Sequence, residues 1–159
     1  MKKHSSAKAI HEDTKKFFLK LKRKNPKDLD NVVHELHHEV FAHTDCLTCA
    51  NCCKTTSPIF SQKDIERLSK YFKIRPSQFI EKYLHEDADK DFVLNSAPCT
   101  FLDAENLCTI YDHRPTACRE YPHTDRKKFY QLLDLTLENV AVCPAVAEIA
   151  EKLKLVYEK

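Results

Sequence analysis

Apolar positions recur at helical spacing along most of this chain, with one long interruption in its middle. Leu29, Val32, Val33, Leu36 and Val40 form the buried stripe of an amphipathic helix over about residues 28–43. The stretch from Ser6 to Lys24 predicts an earlier helix, ended at Asn25-Pro26 because the residue before a proline is driven out of the helical region. Ser61-Gln62-Lys63-Asp64 reads as a capping-box start, with Ile65, Leu68, Tyr71 and Phe72 on one face of the helix that follows. Pro76 opens a short helix carrying Phe79, Ile80, Tyr83 and Leu84. Phe92-Val93-Leu94 predicts a short strand. Residues 95–124 read as loops, because Pro98, Pro115 and Pro122 break any long element. Residues 126–140 read as helical first and then extended. Val146, Ile149, Ala150, Leu153 and Val156 mark a final helix that starts after Cys143-Pro144. The expected fold class is mainly α, a small single domain with an irregular, cysteine-rich, metal-stapled middle. Residues 1–43 are expected to be N-terminal helices and residues 44–159 the cysteine-cluster domain.

The interruption is where the chemistry lies. Cys46, Cys49, Cys52 and Cys53 stand in the run C-L-T-C-A-N-C-C, and Cys99, Cys108, Cys118 and Cys143 follow. Thiolates two residues apart can close on one ion without backbone strain, and tetrahedral thiolate sets select zinc or iron–sulfur. Disulfides are the rival reading. They are disfavoured because residues 1–24 carry no apolar h-region, which points to a reducing cytoplasm where thiols stay free. No stretch approaches the roughly 18 apolar residues of a membrane span.

The C-x2-C-x2-C run of Cys46, Cys49 and Cys52, with Cys143-Pro144 as a remote member, has the spacing of a ferredoxin-type iron–sulfur run and would suit a 4Fe–4S cluster. A Cys₄ zinc reading fits nearly as well. Cys52 and Cys53 are neighbours whose side chains are expected to diverge. They would then serve two sites, Cys53 joining Cys99, Cys108 and Cys118, or bridge one polynuclear centre.

Charge and glycine change the picture in two ways. Through Asp30 there are ten Lys/Arg against four acids, or +6; the rest is 16 minus 20, or −4. A basic first helix of that kind could dock a protein partner, although a solvated helix face is the ordinary reading and nucleic acid is not the expected partner. Glycine is absent, so Gly-rich phosphate loops and the dinucleotide fingerprint are excluded, and turns with positive φ are expected at Asn or Asp.

C-x2-C-x2-C-C, then P-C-T-F-L-D (98–103), L-C-T-I-Y-D-H-R-P-T-A-C-R-E-Y-P (107–122) and C-P (143–144), resembles the YkgJ-type cysteine-cluster proteins. The resemblance covers roughly residues 44–150 and extends to the cysteine pattern of flagellin lysine N-methylases. It implies a zinc- or iron-chelating domain, in a family of mostly small bacterial cytoplasmic proteins with no established reaction. The family usually has Gly directly after the second cysteine; here Ala50-Asn51 fills that stretch, and Asn51 is expected to take the left-handed turn.

Within the signature, Arg114 and Arg119 are expected to clamp loop backbone or to offset thiolate charge. Tyr111 and Tyr121 are expected to pack against the metal loops. His43 and His113 are secondary ligand candidates. His34-Glu35-Leu36-His37-His38 matches H-E-x-x-H, the zinc-protease helix, but His34, Glu35 and His38 lie opposite the apolar stripe and no third ligand is evident. A solvated, salt-bridged face is the expectation there. Glu35 and His38 make one E-x-x-H pair where a di-iron bundle needs two.

Three roles follow: a metal-binding module holding zinc or iron, an iron–sulfur redox enzyme or electron carrier, and a metal-rigidified adaptor docking a partner through the basic first helix. The oligomeric state is not legible.

Overall fold

The computed structural model describes residues 2–158, with side chains from residue 11 onward. The expected basic arm therefore lies partly outside the described residues, at the side chains of Lys2, Lys3 and Lys8. The protein is mainly α, with helices α1 (Lys2–Lys24), α2 (Leu29–Phe41), α3 (Cys46–Cys49), α4 (Asn51–Thr55), α5 (Gln62–Phe72), α6 (Pro76–Tyr83), α7 (Thr116–Glu120), α8 (Leu133–Val140) and α9 (Pro144–Tyr157). Strands β1 (Leu84–Glu86) and β2 (Phe92–Leu94) pair antiparallel, Leu84 opposite Leu94. The chain forms two compact units, Met1–Asp45 with Pro122–Lys159, and Cys46–Tyr121.

The first unit is a helical bundle of α1, α2, α8 and α9, in which α2 packs on α9 and α1 on α8. Phe17, Phe18, Leu21, Leu29, Val33, Val40, Phe129, Leu133, Ile149 and Leu153 make its core. The predicted stripe of α2 is the buried one, fully so at Leu29, Val33 and Val40. Asp30 fixes the chain before α8, its two carboxylate oxygens accepting from the amides of Lys128 and Phe129 at 2.7 and 2.8 Å.

The second unit has its own core of Phe60, Ile65, Leu68, Phe79, Leu84, Leu94, Phe101 and Ile110. Phe72 and Phe101 stack at 5.8 Å between ring centroids, and Cys99 and Cys108 pack against the same cluster. The Ser61 capping box forms as predicted: Ser61 Oγ accepts from the Asp64 amide, and the Asp64 carboxylate accepts from the Ser61 amide. Tyr71, expected on the buried face of α5, is 45 % exposed. Val156 of α9 is likewise exposed.

Three local expectations are corrected. Residues 95–124 are not all loop: residues 111–113 make a 3-10 turn and α7 follows. Pro115 does not break structure there, because it precedes the first turn of α7, where a missing amide costs nothing. Residues 126–140 do not end extended: a 3-10 turn over Phe129–Leu132 runs into α8 at Leu133–Val140, with Thr136 Oγ1 donating to the Leu132 carbonyl at 2.7 Å. Positive φ is not confined to Asn and Asp. Asn25 and Asn106 adopt it, but so do Ala50, Lys73, Lys90, His123 and Lys128. The left-handed region costs a non-glycine residue only about 1–2 kcal/mol, which surrounding packing can carry.

Candidate metal centre

The C-L-T-C-A-N-C-C run folds into two short helices, α3 and α4, joined by one residue. That residue is Ala50, at φ 49° and ψ 17°, and its amide closes α3 by donating to the Cys46 carbonyl at 3.0 Å. Asn51 is the first residue of α4, so the expected left-handed turn falls one position earlier, on Ala50. The side chain there is only a methyl and is buried, which is the least a non-glycine residue can present in this region. The break between α3 and α4 lets Cys52 and Cys53 leave on a new helix axis.

Five thiols of this unit act on one another. The adjacent Cys52 and Cys53 thiols shift each other's ionisation in opposite directions. Adjacent helical positions are about 100° apart, and staggered rotamers can still turn two sulfurs together. The Cys52 thiol is held protonated, first by the adjacent Cys53 thiol and then by burial. Cys53 is shifted the other way by the same pairing, against burial and the nearby Cys99, Cys118 and Cys108. Burial raises Cys99, and it pushes Cys118 up to about 12, with Cys99, Cys52 and Cys108 adding to the rise and the Arg114 charge opposing it. Cys52, Cys99 and Cys118 therefore resist ionisation until a cation offsets the cost of charging them. All eight cysteines are free thiols.

Backbone bonds fix where these sulfurs stand. The Cys99 amide donates to the Cys53 carbonyl at 2.8 Å, tying the segment after Pro98 to α4. The Phe101 amide approaches the Cys99 sulfur at 3.4 Å, the kind of N–H···S contact that tunes a metal thiolate. Cys108 sits opposite Leu102 in a small bridge, closed by Asp103, whose Oδ1 accepts from the amides of Glu105 and Leu107. Asp and Asn supply the turn here as predicted, Asn106 taking φ 64°.

Cys118 is placed by residues that sequence reasoning did not connect with it. Asp64 Oδ1 accepts from both the amide and the hydroxyl of Thr116, the first residue of α7. Arg67 Nη2 donates to Asp64 Oδ1 and to the Arg114 carbonyl, and its Nη1 donates to the His113 carbonyl at 2.8 Å. Arg67 is thus a backbone clamp on the loop that carries Arg114. Its signal was the S-x-x-D-x-x-R spacing from Ser61, of which only the capping box was read.

Residues 45–136 match the sequence model of a family described as a "putative zinc- or iron-chelating domain". The chain belongs to the CxxCxxCC family. No curated protein and no solved structure matches it. The matched residues of this CxxCxxCC chain include Cys46, Cys49, Cys52, Cys53, Cys99, Cys108 and Cys118; Cys143 lies beyond them.

The other anticipated residues of the CxxCxxCC chain spread over both units. In the second, the Arg114 guanidinium carbon lies 3.5 Å from the centroid of the Tyr111 ring, a cation–π contact beside Cys118. Arg119 reaches the Thr116 hydroxyl at 3.4 Å. Tyr121 is half-buried and caps the C-terminus of α7, and His113 stacks on Tyr71 at 4.2 Å. In the first unit, His43 Nε2 faces a Glu148 carboxylate oxygen at 3.4 Å, and Cys143 caps the N-terminus of α9 and packs against that unit's core. Among the described residues, one trio of possible ligand atoms lies within 4.8 Å of one another, and it comes from His34, His38 and Asp125. Sequence reasoning found the two histidines but not the aspartate. No helix among the described residues is long and apolar enough to cross a membrane.

Proposed function

We propose that the CxxCxxCC chain binds zinc or iron through one centre built around Cys52 and Cys53, with Cys99, Cys108 and Cys118 as further thiolate ligands. The mutual interaction of these five thiols within one compact unit carries this reading. The family's zinc- or iron-chelating character agrees with it. Cys46 and Cys49 lie on α3, one Ala50 turn before this pair, and are offered as additional ligands. Cys143 belongs to the first unit and is not assigned to this centre. The opposed shifts of the adjacent Cys52 and Cys53 thiols, with Cys99 tied to the Cys53 carbonyl at 2.8 Å, support a common centre over a partition that sends the two sulfurs to separate ions. The donor chemistry fits either metal, since reduced thiols ionise on binding and soft ligands select zinc, iron or iron–sulfur.

Arg114, stacked on Tyr111, offsets part of the negative charge that thiolates would bring near Cys118. Arg67 and Asp64 are positioning residues that hold the turn before Cys118. Zinc would make the centre a structural or storage site. An iron–sulfur centre would make the protein an electron carrier or redox enzyme.

Metal analysis of protein purified without oxygen and without a histidine tag tests the reading. Stoichiometric zinc or iron, lost together in Cys52→Ser and Cys53→Ser, is the expected result. Partial and separate losses from the two variants would restore two independent sites.

A further inference from the structure

We propose a second metal site, made without cysteine, on the outer face of α2 in the first unit: His34 and His38 bind one first-row divalent ion, zinc foremost, through their Nε2 atoms, with Asp125 orienting His34 from its Nδ1 side. The two histidines are four residues apart, so α2 presents them one turn apart on one face. Their Nε2 atoms are 3.0 Å from each other. Two imidazole nitrogens bound to one tetrahedral zinc at about 2.0–2.1 Å lie roughly 3.3 Å apart, so little movement admits the ion. Asp125 Oδ1 accepts from His34 Nδ1 at 2.5 Å. With Nδ1–H thus engaged, the His34 tautomer turns its Nε2 lone pair toward His38 Nε2, where the ion would enter, the carboxylate–histidine arrangement that orients metal-bound imidazoles.

The site is braced beside the ligands. His37, on the same helix, hydrogen-bonds Thr124 Oγ1 through Nδ1 at 2.8 Å, and Thr124 is fully buried. That bond holds the segment carrying Asp125 against α2. A solvated ion-pair face needs no such convergence: two histidines directed at each other repel once both are protonated. The three groups are exposed, so the remaining coordination positions open to water and the ion exchanges with solvent. Nitrogen and oxygen donors select borderline divalent cations, whereas the thiolate set selects softer ones. This site is therefore distinct in chemistry from the cysteine centre and does not depend on it.

Zinc titration of the intact reduced chain, followed by calorimetry, tests the proposal against His38→Ala and Asp125→Asn. Wild-type protein should take up one more equivalent of zinc than His38→Ala, and Asp125→Asn should weaken that equivalent by about 10–100-fold. Equal uptake and affinity in wild type and His38→Ala would overturn it. A histidine-ring proton–nitrogen spectrum gives a readout that needs no variant: zinc should shift the Nε2 resonances of His34 and His38, and unmoved resonances at saturating zinc would also overturn it. Failure of the cysteine centre would leave both readouts intact, so the two readings fail separately.

Discussion

Asp64 Oδ1 accepts two hydrogen bonds from Thr116, one from its amide and one from its hydroxyl, each at 3.1 Å. A carboxylate 2 % exposed on α5 therefore sets the start of α7 and, two residues on, the place of Cys118. Asp64→Ala leaves the Thr116 amide, the Ser61 amide and Arg67 without their acceptor. It should cost about 2–4 kcal/mol in urea unfolding and speed the reaction of the Cys118 thiol with an alkylating reagent. An unchanged midpoint with unchanged thiol reactivity would show that the clamp does not position the cysteine.

The same carboxylate sets a pH dependence. Burial pushes Asp64 up, but bonds from Ser61, Arg67 and Thr116 outweigh it and hold the folded-state pKa below the ordinary carboxylate value. Its stabilising contribution is thus full above about pH 4 and is lost as pH falls through the depressed folded value. Unfolding midpoints measured between pH 5 and 2 should fall less steeply in Asp64→Asn than in wild type.

Tyr157 titrates at the opposite end of the scale. Burial first, and then its hydrogen bond to Asp28 at 3.1 Å, raise the phenol to about 12. Because the folded value lies above the unfolded one near 10, the contribution is complete below pH 10 and lost as pH rises through 12. An ultraviolet titration should show one late tyrosine step that Tyr157→Phe removes; a step surviving the substitution belongs to another residue.

Ala50 separates two accounts of the cysteine run. It, not Asn51, takes the left-handed conformation, so Asn51→Ala should be nearly neutral. Ala50→Val should cost 2 kcal/mol or more, roughly, because a β-branched residue at positive φ clashes. Ala50→Gly should stay within about 1 kcal/mol, since relief of the turn is offset by the lost methyl and a freer unfolded chain. A costly Asn51→Ala would move the turn back to residue 51.

Much of this was legible beforehand, and the remainder has physical causes. Periodicity gave α2 and α9 because Leu29, Val33, Ile149 and Leu153 face a core at intervals of three and four. Ser61 and Pro76 marked helix starts because capping and the fixed φ of proline are local effects. Phe92–Leu94 was legible as a strand because an aromatic and a β-branched residue suit a half-buried pleat. The thiols of the middle were visible as residue types, but the Cys52–Cys53 contact was not, since rotamer choice depends on what surrounds α4. Asp64–Thr116 and His34–Asp125 join residues 52 and 91 positions apart, and nothing in a linear pattern pairs them. The turn at Ala50 was misplaced by one residue because propensity favours Asn there and hydrogen bonding chose Ala.

Removing metal should loosen the second unit first. Residues 95–121 hold short turns and little helix, whereas Ile149 and Leu153 sit in the bundle core. Amide exchange after chelation should rise most across 95–121 while α9 stays protected. Uniform acceleration along the chain would argue that no metal braces this segment.

Metal content and visible absorption of the untagged protein purified without oxygen, measured alongside Cys53→Ser and Cys118→Ser, decide whether these thiols hold one metal centre. A thiolate centre gives stoichiometric zinc in a colourless protein, or iron with absorption near ~400 nm and acid-labile sulfide, and loses that metal in both variants. A folded wild-type protein without zinc or iron, or variants that retain its full metal content, would contradict it.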